Sequence, residues 1–285
     1  MRGIVDKLVA VSDLVKVELP VAAGVCVVAG EVMALESLPQ ISTAVLGFLL
    51  GFFISGSAMI SNDYFDYEVD KINHPGRPFP SGRITMGELM MVEGAFTLAG
   101  LAAAALLGLS ILVSAVALWI IGFAYNWRYK EEGLIGNMLV SISVASTFVI
   151  GGRASRGSVS ALVWTFGGLA FMFDLAEEVA GGAMDVRGDS IRNVKSLAMV
   201  HGRTYALRVS MTLYALVVIG TLVPFVMRWV GATYLILAIA ADISLAYFAL
   251  RLQRSVTPED GRRQIRRLYL TALGLVAAFL VGSLL

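Results

Sequence analysis

The residues of this chain best suited to chemistry are carboxylates. In the run SNDYFDYEVD, Asn62, Asp66 and Asp70 recur at steps of four, with Asp63 beside them. On a continuing helix those three share one face. Like charges at that spacing destabilise a helix by roughly a few tenths of a kcal/mol per pair, and taking them out of water costs more. A bound cation resolves the conflict. Oxygen ligands of this kind suit Mg2+, which keeps several waters and binds one or two carboxylates plus substrate phosphates. Calcium fits less well, because the chain has no twelve-residue loop of the EF-hand type. A second set, Asp185 and Asp189, stands four apart in MDVRGDSIRNVKS, among Arg187, Arg192 and Lys195. Two carboxylate sets that each hold a metal ion form a clamp for a diphosphate, with nearby cations taking up the remaining charge. Arg77 and Lys130 are further cations for that role. Any one of these acids alone reads equally well as a solvated anchor at a helix end; two spaced sets coinciding with cations favour chemistry.

The segments that must position these sets are apolar. Hydrophobic residues make up 58% of the 285 and the mean hydropathy is +0.79, against roughly 45–50% apolar usage in soluble domains. A bilayer core requires about 20 apolar residues per helix, and such segments are expected at 17–36, 41–61, 88–108, 110–127, 134–152, 159–180, 204–227, 232–250 and 267–285. The fold class is therefore all-α, a polytopic membrane helical bundle of about nine transmembrane helices. Lys and Arg gather at the N-terminus and after the second, fourth, sixth and eighth segments, as in KINHPGRPFPSGR and RLQRSVTPEDGRRQIRR; the opposite loops hold only Arg153, Arg156 and Arg228. The positive-inside rule then predicts an integral cell-membrane protein with its N-terminus and acidic loops cytoplasmic and its C-terminus outside. The first sixteen residues carry Arg2, Asp6, Lys7, Asp13 and Lys16, and no convincing cleavage site follows, so no removable signal peptide is expected. The chain reads as a single transmembrane domain, 1–285, of two loosely duplicated halves with acidic loops at about 61–87 and 181–203.

Other classes are disfavoured by composition. A net charge of +1 argues against nucleic acid as a partner. Cys26 is the only cysteine, which excludes an internal disulfide and a cysteine metal cluster; it reads as a packing residue. His74 and His201 are too far apart in sequence to suggest a histidine metal site. Glu31, Glu93, Asp174 and Asp242 fall inside expected spans and by default face the bundle interior; Asp242 has no evident role.

At the two acid sets the chain resembles the UbiA-type prenyltransferase superfamily, whose signatures are Asn-Asp-x-x-Asp-x-x-x-Asp and Asp-x-x-x-Asp. Residues 62–70 match the first and Asp185 with Asp189 the second. The continuation DKINHPGRPFPSGRI is similar to archaeal lipid-forming and chlorophyll synthase members, and YNWRYKEEGLIGN at 125–137 resembles the segment that carries a tyrosine and a lysine near the family's catalytic pocket. Nine helices is also the family's number. The resemblance implies a Mg2+-dependent prenyl transfer from an isoprenyl diphosphate to a lipid-soluble acceptor, among membrane lipids. It implies that Asn62, Asp63, Asp66, Asp70, Asp185 and Asp189 hold two Mg2+ ions bridged by the diphosphate, and that Arg77, Lys130 and Lys195 steady its oxygens. Asp66, Asp185, Lys130 and Tyr125 are then the catalytic set, the Tyr125 ring stabilising an allylic cation where the bland reading is an interfacial aromatic. One departure stands out: many members carry an acid three residues before the position of Asp185, and some a lysine before that, where this chain has Gly182 and Gly181. The second metal site is expected to be weaker, with Glu177 and Glu178 compensating in part. The expected acceptor, by nearness to archaeal members, is geranylgeranylglyceryl phosphate in ether-lipid synthesis, and Lys16, Arg83, Arg192 and Lys195 are spare cations for its phosphate. An aromatic quinone precursor is the runner-up. An ion-coupled transporter is the alternative of another class, but transporter sites lie near mid-membrane, whereas these acids lie at segment ends.

Overall fold

The structure, a computed structural model, describes residues 2–186, 190 and 194–282. Among the described residues there is no β-strand. The chain separates into two compact units, Met1–Val28 with Pro39–Trp127, and Ala29–Leu38 with Arg128–Leu285; the first acid set belongs to one and Asp185 to the other.

In the first unit, α3 (Ile41–Phe65) packs with α5 (Met86–Leu107) and α6 (Leu109–Trp127), while α1 (Arg2–Val15) lies against α3, and α4 (Tyr67–Asn73) follows α3 after a one-residue interruption at Asp66. In hydrocarbon a Leu side chain is as well solvated by lipid as by another Leu, so helices associate through close backbone approach and polar contacts. The helix α2 (Glu18–Leu35) shows the first device: a Cβ on Gly51 would stand 2.8 Å from the carbonyl oxygen of Ala23. A polar cluster shows the second, Ser57 Oγ donating to Glu93 (2.9 Å) and the Trp119 indole donating to Thr97 Oγ1 (3.1 Å). Ala10, Leu14 and Val15 of α1 are buried against Ile60, Phe79, Ile84 and Leu89, and ion pairs from Lys7 to Glu88 (2.7 Å) and Arg83 to Asp13 (2.9 Å) fasten the helix. The sequence showed only charges over these residues. Thr85 and Glu88 form a capping box that starts α5.

The second unit is built around α8 (Ala161–Met184), which packs with α7 (Leu134–Arg156), α10 (Arg203–Gly220) and α13 (Pro258–Gly282). The short α9 (Leu197–His201) and α11 (Val223–Val226) and the long α12 (Ala232–Gln253) complete it. Phe173, Ala176, Ala180, Tyr214, Leu245 and Leu268 form its core. The expected segment 204–227 is interrupted at Thr221 and Leu222, ahead of Pro224, whose ring and missing N–H disfavour a continuous helix. Asp242 acquires a role here. Its Oδ2 lies 2.7 Å from Thr221 Oγ1, and Tyr234 donates to the Thr221 carbonyl (2.9 Å), so Asp242 and Tyr234 hold the break together.

Seven helical segments among the described residues are long and apolar enough to cross a membrane, α10 and α11 counting as one: Glu18–Leu35, Ile41–Phe65, Met86–Leu107, Leu109–Trp127, Leu134–Arg156, Arg203–Val226 and Ala232–Gln253. The other two expected segments, 159–180 and 267–285, fall on α8 and α13. Both are long, with 24 and 25 residues, but α8 holds Asp174, Glu177 and Glu178, and α13 opens with several charges.

Candidate functional site

The first acid set sits where α3 runs into α4. The Asp66 amide donates to the Asn62 carbonyl (2.9 Å) and the Asp70 amide to the Asp66 carbonyl (2.8 Å), so the helical repeat continues through the motif and keeps the step-of-four residues on one face. Asp63, Asp66 and Asp70 are buried, Asp63 and Asp70 being only 1% exposed. Carboxylates so far from water need compensation. Lys16 Nζ stands 2.8 Å from Asp63 Oδ1; Arg77 pairs with Asp70 Oδ2 at 2.5 Å and lies 3.9 Å from Asp63 Oδ1. Asp63 Oδ2 is buried with no hydrogen-bond partner among the described residues. Asn62 donates to Asn126 Oδ1 (3.2 Å), and Asn126 in turn donates to the Ala58 carbonyl (3.0 Å). Asn126 thus orients Asn62, a role the sequence reading missed although it singled out the neighbouring Tyr125. Tyr125 itself is half-buried at the end of α6.

These donors fit a hard divalent cation: they are all oxygen, and one buried carboxylate oxygen has no hydrogen to accept. Among the described residues no three His, Cys, Asp or Glu side chains converge into a complete metal cage.

In the second unit, Asp185 caps the end of α8, is half-exposed, and pairs with Arg262 at the start of α13. Asp189, with Arg187 and Arg192, lies outside the described residues. Lys195 is fastened to the segment after α6: its amide donates to the Glu131 carbonyl (2.9 Å) and its ammonium to Glu132 (2.9 Å). Gly133 makes this possible. It has φ 57, and a Cβ there would stand 1.9 Å from the Lys195 carbonyl oxygen. Lys130, in the 3-10 turn Tyr129–Glu131, is therefore carried on a turn tied to Lys195. Glu178 lies two helical turns before Asp185 on α8, and Asp174 on the same helix accepts from Ser141 (2.8 Å). A Cβ at Gly182 would make ordinary contact, 3.4 Å, with Ser196 Cβ, and one at Gly181 would meet nothing within 4 Å. The positions where the superfamily carries an acid and a lysine therefore have room for a Cβ.

The UbiA prenyltransferase family matches residues 23–282. Digeranylgeranylglyceryl phosphate synthase of Thermococcus kodakarensis is 31% identical over 262 residues, 92% of this chain and 93% of that protein. The protein of the same name from Methanopyrus kandleri is 34% identical over 220 residues, 77% of this chain and 79% of that one. A solved structure concerned with digeranylgeranylglyceryl phosphate synthase in membranes superposes with a TM-score of 0.77 at 26% identity, covering 97% of this chain and 98% of that one. A UbiA homologue from Archaeoglobus fulgidus, bound to GPP and Mg2+, shares the fold with a TM-score of 0.72 at 18% identity, covering 97% and 100%.

Proposed function

This chain belongs to the UbiA prenyltransferase family, and from that premise we propose that it transfers a geranylgeranyl group from geranylgeranyl diphosphate to geranylgeranylglyceryl phosphate, a step of ether-lipid synthesis. The name shared by its archaeal relatives supports this acceptor. The observation that carries the reading is Asp63 and Asp70, buried beside Lys16 and Arg77 at the end of a long apolar helix, with one carboxylate oxygen left without a partner. An oxygen site with cations beside it is what a metal-bound diphosphate requires.

In this reading Asn62, Asp63, Asp66 and Asp70 hold one Mg2+ and Asp185 and Asp189 a second. When bound there, such ions would supply Lewis-acid stabilisation of the leaving diphosphate. Mg2+ bound with GPP in the same fold supports the choice of ion. Arg77, Lys130 and Lys195 take the remaining diphosphate oxygens. The allylic C–O bond breaks, its electron pair leaving with the diphosphate, and the acceptor hydroxyl forms the new ether bond while its proton passes to the departing diphosphate. Tyr125 faces the allylic cation with its ring, and apolar helix walls keep out water that would quench it. The protein is integral to the membrane. The Lys and Arg distribution supports a cytoplasmic N-terminus and acidic loops with an external C-terminus; that topology needs α8 and α13 to cross as well, so that 1–285 forms one domain of nine spans.

The test is transfer from radiolabelled geranylgeranyl diphosphate by detergent-purified protein, offered geranylgeranylglyceryl phosphate and aromatic quinone precursors, with Mg2+ or EDTA. Metal-dependent labelling of the glyceryl phosphate is expected. Labelling of an aromatic acceptor alone would overturn the acceptor assignment.

A further inference from the structure

Lys16 is one of three non-glycine residues among those described with positive φ, here 53°. An L-residue with a long side chain keeps that conformation only where its surroundings impose it, and such positions concentrate at functional sites. It occupies the turn between α1 and α2, and its ammonium reaches across to Asp63, inside the metal-binding motif. Two neighbouring cations, Lys7 and Arg83, serve the scaffold. Lys7 holds Glu88 and the Arg83 carbonyl, and Arg83 holds Asp13 and the Gly76 carbonyl. Lys16, like Arg77 on Asp70, instead has as its partner a carboxylate that a divalent ion would take. It is also accessible, its side chain 30% exposed where that of Asp63 is 1%.

We propose that Lys16 is a phosphate-binding residue of the transfer reaction, one that exchanges Asp63 for a phosphate oxyanion when Asp63 ligates the metal. This rests on the functional reading above and extends it to a residue outside both signatures. A divalent ion at Asp63 repels the ammonium beside it. An oxyanion shared between ion and ammonium removes that repulsion and gives Lys16 a charge-assisted hydrogen bond in place of the one it loses. Arg77, paired with Asp70 and 3.9 Å from Asp63 Oδ1, is a second cation beside the same carboxylate. The anion is either the diphosphate of the donor or the phosphate of the acceptor, both of which present the same oxygens to a lysine.

The experiment uses the full-length protein in detergent, with Lys16→Asn, whose side chain tolerates the left-handed conformation, Lys16→Arg, and Lys7→Gln as a scaffold control. Calorimetry measures binding of Mg2+ alone, then of inorganic pyrophosphate and of glycerol 1-phosphate in Mg2+. Lys16→Asn is expected to bind Mg2+ alone as tightly as the native chain or more tightly, because a competing cation is gone. It is expected to lose about tenfold in affinity for one anion, and Lys16→Arg to recover most of that loss. The KM that rises in the transfer assay, for donor or for acceptor, identifies which phosphate Lys16 holds. Lys7→Gln is expected to lower thermal stability and leave anion binding intact. Native-like binding of both anions by Lys16→Asn overturns the proposal, as does a fall in Mg2+ affinity matching a fall in thermal stability, the signature of a purely structural ion pair. If the native chain transfers to no acceptor, the functional reading fails separately, while the pyrophosphate titration still decides the role of Lys16.

Discussion

The two acid sets are built differently. Asp63, Asp66 and Asp70 are buried on a nearly continuous helix, and Asp63 and Asp70 have cations drawn from other segments. Asp185 is half-exposed at a helix end, and its described partner is a surface arginine, Arg262. The carboxylates of the first set are already placed by burial and the helical repeat, so that only their cations have to change partner when a ligand arrives. Asp185 stands at the end of α8, and further along the chain Lys195 is secured by a backbone approach that only Gly133 permits. The difference teaches that identical residue types at similar spacing do not make equivalent sites; burial and long-range partners decide which one is rigid.

The largest expected effect comes from breaking the rigid set. Asp66→Ala is expected to lower kcat/KM by about 1,000-fold, whereas Asp185→Ala should cost about 10- to 100-fold, measured in the same transfer assay. Equal losses would erase the distinction. The next effect tests the fastening of Lys195: Gly133→Ala is expected to destabilise the protein by about 1–3 kcal/mol, through positive φ and the blocked approach to Lys195, read as a lower thermal midpoint in detergent. Arg262→Gln should change stability by less than about 1 kcal/mol, since an exposed ion pair contributes little. By releasing Asp185 it should also lower the half-saturating Mg2+ concentration by a few-fold. The smallest expected effect is that of Gly182→Asp, which fits beside Ser196 and should strengthen Mg2+ dependence about two-fold by adding a carboxylate; unchanged dependence would count against a weak second site.

Much of this was legible in the sequence because it is local. A spacing of four is a helix spacing, so Asn62, Asp66 and Asp70 could be placed on one face before the structure showed the repeat running through Asp66. Apolar runs located the seven candidate membrane helices to within a few residues, although α3 extends to Phe65 where the segment was expected to end at 61, and α13 begins at Pro258 where the segment was expected to start at 267. What was hidden depends on distant partners. α1 is held by Glu88, Arg83 and a buried face on Ile60 and Ile84, none of which its own fourteen residues announce. Lys16 was one spare cation among several until its contact with Asp63 appeared, and Asn126 was silent because its meaning lies in orienting Asn62. The count of spans was ambiguous for a physical reason: α8 carries three acids within a helix long enough to cross, so length and hydropathy disagree there.

The central claim is that residues 62–70 hold the metal on which the diphosphate is carried. Its most direct test is anomalous diffraction from crystals soaked with Mn2+ and a non-cleavable geranylgeranyl diphosphate analogue. The account predicts an anomalous peak about 2.1 Å from oxygens of the Asn62–Asp70 set and of the diphosphate together. A diphosphate bound with its metal elsewhere, and Asp63 and Asp70 still paired with Lys16 and Arg77, would contradict it.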